Sequence, residues 1–324
     1  MTRFGYTLMT EQSGPKQLVS YAVGAERAGF DFAVSSDHYF PWLEEMGHSP
    51  YAWAVLGAVA QATERLELMT YVTCPTMRYH PVVVAQKAAT LGLLSDNRFV
   101  LGLGSGENLN EHVVGRGWPI ASVRQDMLLE AIQLIRALQS GEQTTWVGEH
   151  FRADSAKLWD VPDGGVPLAV AVSGDGSISR FAPTADHMIA VEPEPELVTG
   201  WQSARDAGQA ESRKIGQIPI CWGPDKDEAV RRAHRLFRWF GGGWKVNADL
   251  PTPAAFESAS QFVRPDDVAD SIACGPDLDE LAESVRPFLD AGFTDVAVVQ
   301  VGDEHQRRFL DEAAQPLLER LRRL

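Results

Sequence analysis

"RFVLGLGSGENLNEH", residues 98–112, forces a choice of fold. Its first half, 98–104, is a continuous apolar run, as a parallel strand covered on both faces requires. Its second half opens on glycines at 102, 104 and 106, which resemble the phosphate loop of a doubly wound dinucleotide fold. That loop needs glycine at its first, third and sixth positions, and the sixth position here is Glu107. The dinucleotide motif is rejected. What is left is a strand that opens into a polar, glycine-rich loop carrying a carboxylate.

Seven further runs read the same way: "RFGYTL" (3–8), "DFAVS" (31–35), "LELMTYVT" (66–73), "PLAVAVS" (167–173), "HMIAVE" (187–192), "GQIPICW" (216–222) and "TDVAVVQV" (294–301). Between them lie helical patterns such as "KQLVSYAVGAERAGF", "PVVVAQKAATLGLLS" and "RQDMLLEAIQLIRALQSG", the last ending in Gly141 as a C-cap would. Eight β/α units predict an α/β protein of the (β/α)8 TIM-barrel type. An open doubly wound sheet is the competitor, because periodicity does not register closure. Segments 142–166 and 239–277 exceed a minimal barrel and read as insertions, so residues 1–324 are expected to form one barrel domain.

Composition narrows the function. A formal charge of −15 and an isoelectric point near 5.0 argue against a nucleic-acid or anionic-membrane surface. Cys74, Cys221 and Cys274 are far apart, with no C-x-x-C pair to suggest a zinc ribbon or disulfide framework. The start "MTRFGYTLMTEQSGP" has no long apolar core, and no 18-residue apolar run occurs anywhere. A cytoplasmic protein acting on a small molecule is expected.

A barrel works at the rim where its strands end. Reading those junctions in turn gives "SDHYFPW", "CPTMRYHP", "GSGENLNEH", "SGDGS", "EPEPE" and "WGPD". Asp37 and His38 thus stand at the rim after the second strand, and Glu107 on the same rim after the fourth. Singly, an Asp–His pair is more often a loop cap, and an acid at a helix start is favoured by the helix dipole. Together, a base and an acid on one rim can divide proton-transfer work. "SGDGS" at 173–177 precedes a helical pattern and suits an anion, with Arg180 either a phosphate partner or surface charge.

Other chemistries fail by absence. There is no H-E-x-x-H, no His-x-His on the first strand, no G-x-S-x-G elbow and no lysine inside a strand near the rim. The rim side chains read as helpers to a bound cofactor.

The combination "GYTLMTEQSGP", "SDHYFPW", "TCPTMRYHP", "GSGENLNEH" and "DVPDGGVP" resembles the luciferase-like barrel oxidoreductases that use the deazaflavin coenzyme F420, in the branch containing F420-dependent glucose-6-phosphate dehydrogenase. The likeness runs to "DEHQRRFLDE" near the C-terminus. It implies hydride transfer between an alcohol, sugar or carbonyl substrate and F420, by a homodimer. It also implies roles: His38 takes or stabilises the substrate's hydroxyl proton, Glu107 protonates the cofactor ring, and Trp42 lies against the substrate. Asp37, Asn110, Ser105 and Gly106 contact the cofactor, Tyr71–Val72 backs its ring, and Ser173, Gly174, Gly176 and Ser177 grip its phosphate. Cys74 stands where the family often has threonine. An FMN-dependent luciferase-like monooxygenase or reductase is the alternative within the same fold. A non-catalytic cofactor-binding protein is the alternative of another class.

One departure concerns the substrate. The sugar-phosphate enzymes imply lysine and arginine around the 6-phosphate. This chain has Glu192, Glu194 and Glu196 after the sixth strand, and Ser271 near the expected arginine. Even if "EPEPE" is only a solvated acidic turn, no cation is supplied, so glucose-6-phosphate is not the expected substrate. Tyr39, Trp239, Phe240 and Trp244 are expected to line the substrate pocket, against the plainer reading that such aromatics are core.

Overall fold

The computed structural model describes residues 2–205 and 208–324. Eight parallel strands close on themselves: β1 (Arg3–Leu8), β2 (Phe32–Ser35), β3 (Glu67–Thr70), β4 (Phe99–Leu103), β7 (Leu168–Ala171), β8 (His187–Ile189), β9 (Lys214–Trp222) and β11 (Asp295–Gln300). Closure is made by β8 pairing β9 and β11 pairing β1. The barrel prevails over the open sheet. An antiparallel hairpin, β5 (Thr144–Val147) with β6 (Arg152–Ala156), lies between β4 and β7, and a short β10 (Ala273–Gly275) adds to the edge of β9.

The strands are short and buried on both faces, which is why they read as unbroken apolar runs. Their inward side chains form one packed plug of Phe32, Val34, Met69, Val100, Ala169, Ile189, Ile215 and Ala297. β1 contributes Gly5 at this level, where a Cβ would stand 2.3 Å from the Phe32 ring. A barrel interior filled this way is a core and not a pore. Helices from Pro15–Ala28, Ala52–Ala62, Pro81–Leu94 and Ala121–Leu138 cover the outside. Prolines 15 and 81 sit in first turns, where no amide donor is needed. Gly29 ends the first helix at φ 98°, returning its N–H to Ala25 and Glu26 carbonyls.

The third predicted strand, 66–73, is shorter than expected. Pairing stops at Thr70, the Tyr71–Val72 peptide is cis, and Thr73 rejoins by a single bridge to Leu103. Here the glycines of the 98–112 stretch find their use. A Cβ at Gly102 would lie 1.9 Å from the Thr70 carbonyl oxygen, and one at Gly104 2.5 Å from Val72. At Gly106, φ is +88° and a Cβ would meet the Cys74 sulfur at 2.6 Å. Close approach of two strands demands these glycines.

Candidate active site

At the C-terminal ends of the strands the rim loops enclose a cleft of about 310 Å³. Every residue expected at the site lines it except Tyr39, Gly174 and Gly176. Successive loop residues diverge, so His38 turns inward while the Tyr39 ring is 56% exposed. The Tyr39 ring does not line the cleft; its backbone N–H donates to Asn110 Oδ1 at 2.8 Å.

His38 is buried between two carboxylates. Its Nδ1 faces the Phe40 carbonyl and Glu11 Oε1, each at 3.2 Å. Both neighbours are acceptors, so Nδ1 carries the proton and, in the neutral ring, Nε2 keeps its lone pair. Nε2 lies 3.6 Å from Glu107 Oε2. Burial is the main influence on Glu107 and pushes its carboxyl up to about 7; Glu11 and Glu111 push the same way and His38 opposes them. A carboxyl that keeps a proton near neutrality thus stands beside an imidazole that can accept one. Trp42 packs against the His38 ring at 4.8 Å between centroids.

Beneath this pair, Asp37 is saturated. Its Oδ2 accepts from Trp53 Nε1 at 3.1 Å and Thr73 Oγ1 at 2.7 Å. Its Oδ1 accepts from Arg78 Nη2 and Tyr79 OH, both at 3.1 Å. A carboxylate has about four acceptor positions, and here protein donors fill them. Asp37 lines the cleft with its carboxylate held by these four protein donors. Arg78 continues the network, its backbone N–H donating to Glu111 Oε2 at 2.8 Å and its Nε 3.5 Å from Oε1. Asn110 is similarly engaged: Oδ1 accepts from the Tyr39 and Phe40 amides, and Nδ2 donates to Glu107 Oε2 at 3.2 Å. Burial raises the Cys74 thiol, which sits 2.9 Å from Thr76 Oγ1 and meets the cleft uncharged.

At the far end, Ser173 and Ser177 line the cleft and close a small ring: the Ser177 hydroxyl donates to the Gly174 carbonyl at 2.8 Å and accepts from Ser173 N–H at 3.1 Å. Around Gly174 and Gly176 there is open space within 4 Å of where a Cβ would stand. Arg180 is an ion-pair partner of Asp126 and also donates to the Ser122 carbonyl at 3.3 Å, so it serves the surface.

The opposite wall comes from the 239–277 segment. Trp239 stacks on Trp42 at 4.1 Å and 12°, with Phe240 and Trp244 beside it. Of the three glutamates after β8, only Glu192 reaches the cleft; Glu194 and Glu196 are exposed at the helix start Pro195–Ser203. Ser271 lines a separate hollow and not the cleft. Among the described residues, five carboxyl side chains line the cleft (Glu11, Asp37, Glu107, Glu111 and Glu192) and no lysine or arginine does.

Glu11, Arg78 and Glu111 were not singled out from sequence. Glu11 had a usable signal, being an acid three residues beyond the first strand on the same rim. Arg78 and Glu111 lie inside loops that did stand out, but loop composition does not reveal which side chains turn inward.

The luciferase-like monooxygenase family model matches residues 1–295. The chain is 35% identical to the F420-dependent glucose-6-phosphate dehydrogenase of Nocardia farcinica, covering 99% of this chain and 98% of that one. It is 34% identical to the enzyme of the same description from Mycobacterium tuberculosis, again over 99% and 98%. Among solved structures, an F420-dependent secondary alcohol dehydrogenase in complex with an F420–acetone adduct superposes with a TM-score of 0.89 at 28% identity, over 99% of both chains.

Proposed function

This chain belongs to the luciferase-like monooxygenase family, and on that premise we propose that its cleft oxidises a neutral alcohol or sugar, or reduces the matching carbonyl, using His38 and Glu107. It is an F420-dependent oxidoreductase. The residues present suit such a cofactor. Tyr71, Val72, Ile189 and Val299 give the cleft an apolar face, and the backbone at Gly106 can be approached closely because no Cβ is present. Glu11 Oε1 is buried in the cleft wall with His38 Nδ1 3.2 Å away. Ser173 to Ser177 offer amide and hydroxyl donors for the cofactor's phosphate beside open space.

When bound, F420 supplies the hydride acceptor or, in the reverse direction, the donor. His38 Nε2 takes the proton of the substrate hydroxyl and returns it in reverse. Nδ1–H stays directed at Glu11 Oε1 and the Phe40 carbonyl, so ring orientation is kept and the Glu11 charge offsets that of the imidazolium. Glu107 holds a second proton, available because burial keeps its carboxyl near 7. Trp42 and Trp239 wall off water, which strengthens these interactions. Asp37 and Arg78 hold the loops that carry the pair.

The observation that carries the reading is the His38 Nε2–Glu107 Oε2 separation of 3.6 Å within a cleft that no lysine or arginine lines among the described residues. A phosphate dianion needs a cation when desolvated, so glucose-6-phosphate is disfavoured although the relatives above carry its name. Three buried free cysteines suit a reducing cytoplasm, and a homodimer belongs to the same reading. The test is steady-state loss of the visible absorbance of oxidised F420 with unphosphorylated alcohols and sugars, against glucose-6-phosphate. Higher kcat/KM for the phosphorylated sugar overturns the substrate assignment.

A further inference from the structure

Beside the cleft lies a second hollow of about 460 Å³. The two share Phe237 and Phe240 as lining residues, so these side chains form the partition between them. They are held differently. Phe237 is 3% exposed at the end of the helix Lys226–Phe237 and packs on Trp239 at 5.3 Å. Phe240 is half-buried, on a short turn of 3-10 helix followed by Gly241, Gly242 and Gly243. Its ring meets Trp239 edge-on at 6.1 Å. Gly243 has φ +72°, and a Cβ at Gly241 or Gly243 would meet nothing within 4 Å. The turn itself packs on the helices Lys226–Phe237, Pro253–Ser260 and Pro265–Ala269, while the glycines that follow Phe240 leave open space beside its ring.

Most of the side chains lining the hollow are apolar. Val263, Val268 and Ile272 form its floor and Phe262, 86% exposed, stands at its mouth. Its one carboxylate, Asp267, is committed to Arg264, whose Nη2 donates at 2.6 Å and Nε at 3.1 Å. The Ser271 hydroxyl is committed as well, donating to the Asp267 carbonyl at 3.2 Å. The hollow thus presents neither a free charge nor a convergent set of donors. An exposed aromatic at the mouth of an apolar recess that abuts a reaction cleft suits an apolar ligand.

We infer that the hollow continues the substrate site, that the substrate is an alcohol or ketone with an uncharged apolar tail, and that Phe240 sets how far this tail reaches. This rests on the alcohol–carbonyl reading above and adds the substrate class. Displacing Phe240 joins the two spaces, and each methylene that enters leaves water for an apolar wall.

The test compares kcat/KM for 2-propanol, 2-pentanol and 2-octanol with F420. Full burial of a methylene corresponds to about fourfold in affinity, so kcat/KM is expected to climb by up to about fourfold per carbon. Phe240→Ala is expected to raise the 2-octanol to 2-propanol ratio by about tenfold. Ser271→Trp, which fills the hollow from its rim, is expected to lower the ratio by about tenfold. An equal ratio in all three proteins overturns the inference while leaving the alcohol reading intact. If no alcohol is turned over, that reading fails, and calorimetry of 2-octanol binding judges the hollow by itself. Weaker binding to Ser271→Trp than to wild type supports the inference, and equal or absent binding overturns it.

Discussion

On the side of the cleft built after β1 to β4, carboxylates are buried and densely bonded, with Asp37 alone receiving four donors. On the side built by residues 239–277, Trp239, Phe240 and Trp244 face the same space, and Trp239 Nε1 donates to the Leu236 carbonyl at 3.1 Å. The polar side fixes geometry, because moving any member leaves a buried charge unsatisfied. The aromatic side fixes only volume, because apolar contacts are non-directional and one ring can shift where another cannot. Proton handling needs the first kind of wall. Choice of substrate needs the second.

The comparison is broken most severely at the reacting pair. His38→Ala and Glu107→Gln are each expected to lower turnover by about 10²–10⁴-fold, the usual contribution of a general acid or base, with F420 affinity nearly intact by titration. Wild-type turnover in either variant would remove that residue from the mechanism.

Next comes the support beneath it. Asp37→Ala removes one of the two carboxylates that hold the buried Arg78 guanidinium and is expected to cost about 3–5 kcal/mol, read as a lower urea midpoint at unchanged slope. Asp37→Asn keeps the shape but not the charge and should recover part of this. A loss within 1 kcal/mol of zero would mean Arg78 is satisfied by Glu111 alone.

Glu107 also makes stability depend on pH. Its folded carboxyl titrates near 7, against an ordinary 4.5. Between these values the folded protein holds a proton that the unfolded chain has released. The contribution is therefore fully present below about pH 4.5 and is lost as pH rises through 7. The stability difference between wild type and Glu107→Gln should shift by on the order of 3 kcal/mol between pH 4.5 and 7.5. A difference independent of pH would show that Glu107 titrates normally.

The aromatic and rim residues should respond least. Trp244→Ala, at a side chain 38% exposed, is expected to change KM by a few-fold and stability by less than about 1 kcal/mol. Glu192→Gln, at an exposed rim position, should stay within about 0.5 kcal/mol and leave kcat/KM for a neutral alcohol within about twofold. A larger effect of Glu192→Gln would mean that its charge meets the substrate.

Read alone, the sequence determined eight buried parallel strands and the rim at their ends, while closure into a barrel was decided by the pairing of β8 with β9. Buried parallel strands must be written as unbroken apolar runs, and polar loop residues must then collect where those runs end. That placed His38, Asp37 and Glu107 at one end without any coordinates. Direction within a loop was beyond it, because neighbouring residues share a composition but not an orientation. So composition does not tell that Tyr39 faces outward while Glu11 faces the cleft, nor that Trp53, Thr73, Arg78 and Tyr79 all donate to Asp37. Likewise the glycines at 102, 104 and 106 could be denied a dinucleotide role by spacing, but their reason needed a second strand 1.9 Å from an absent Cβ. Local pattern fixes which residues lie at a rim; only the meeting of segments distant in the chain fixes which atoms touch.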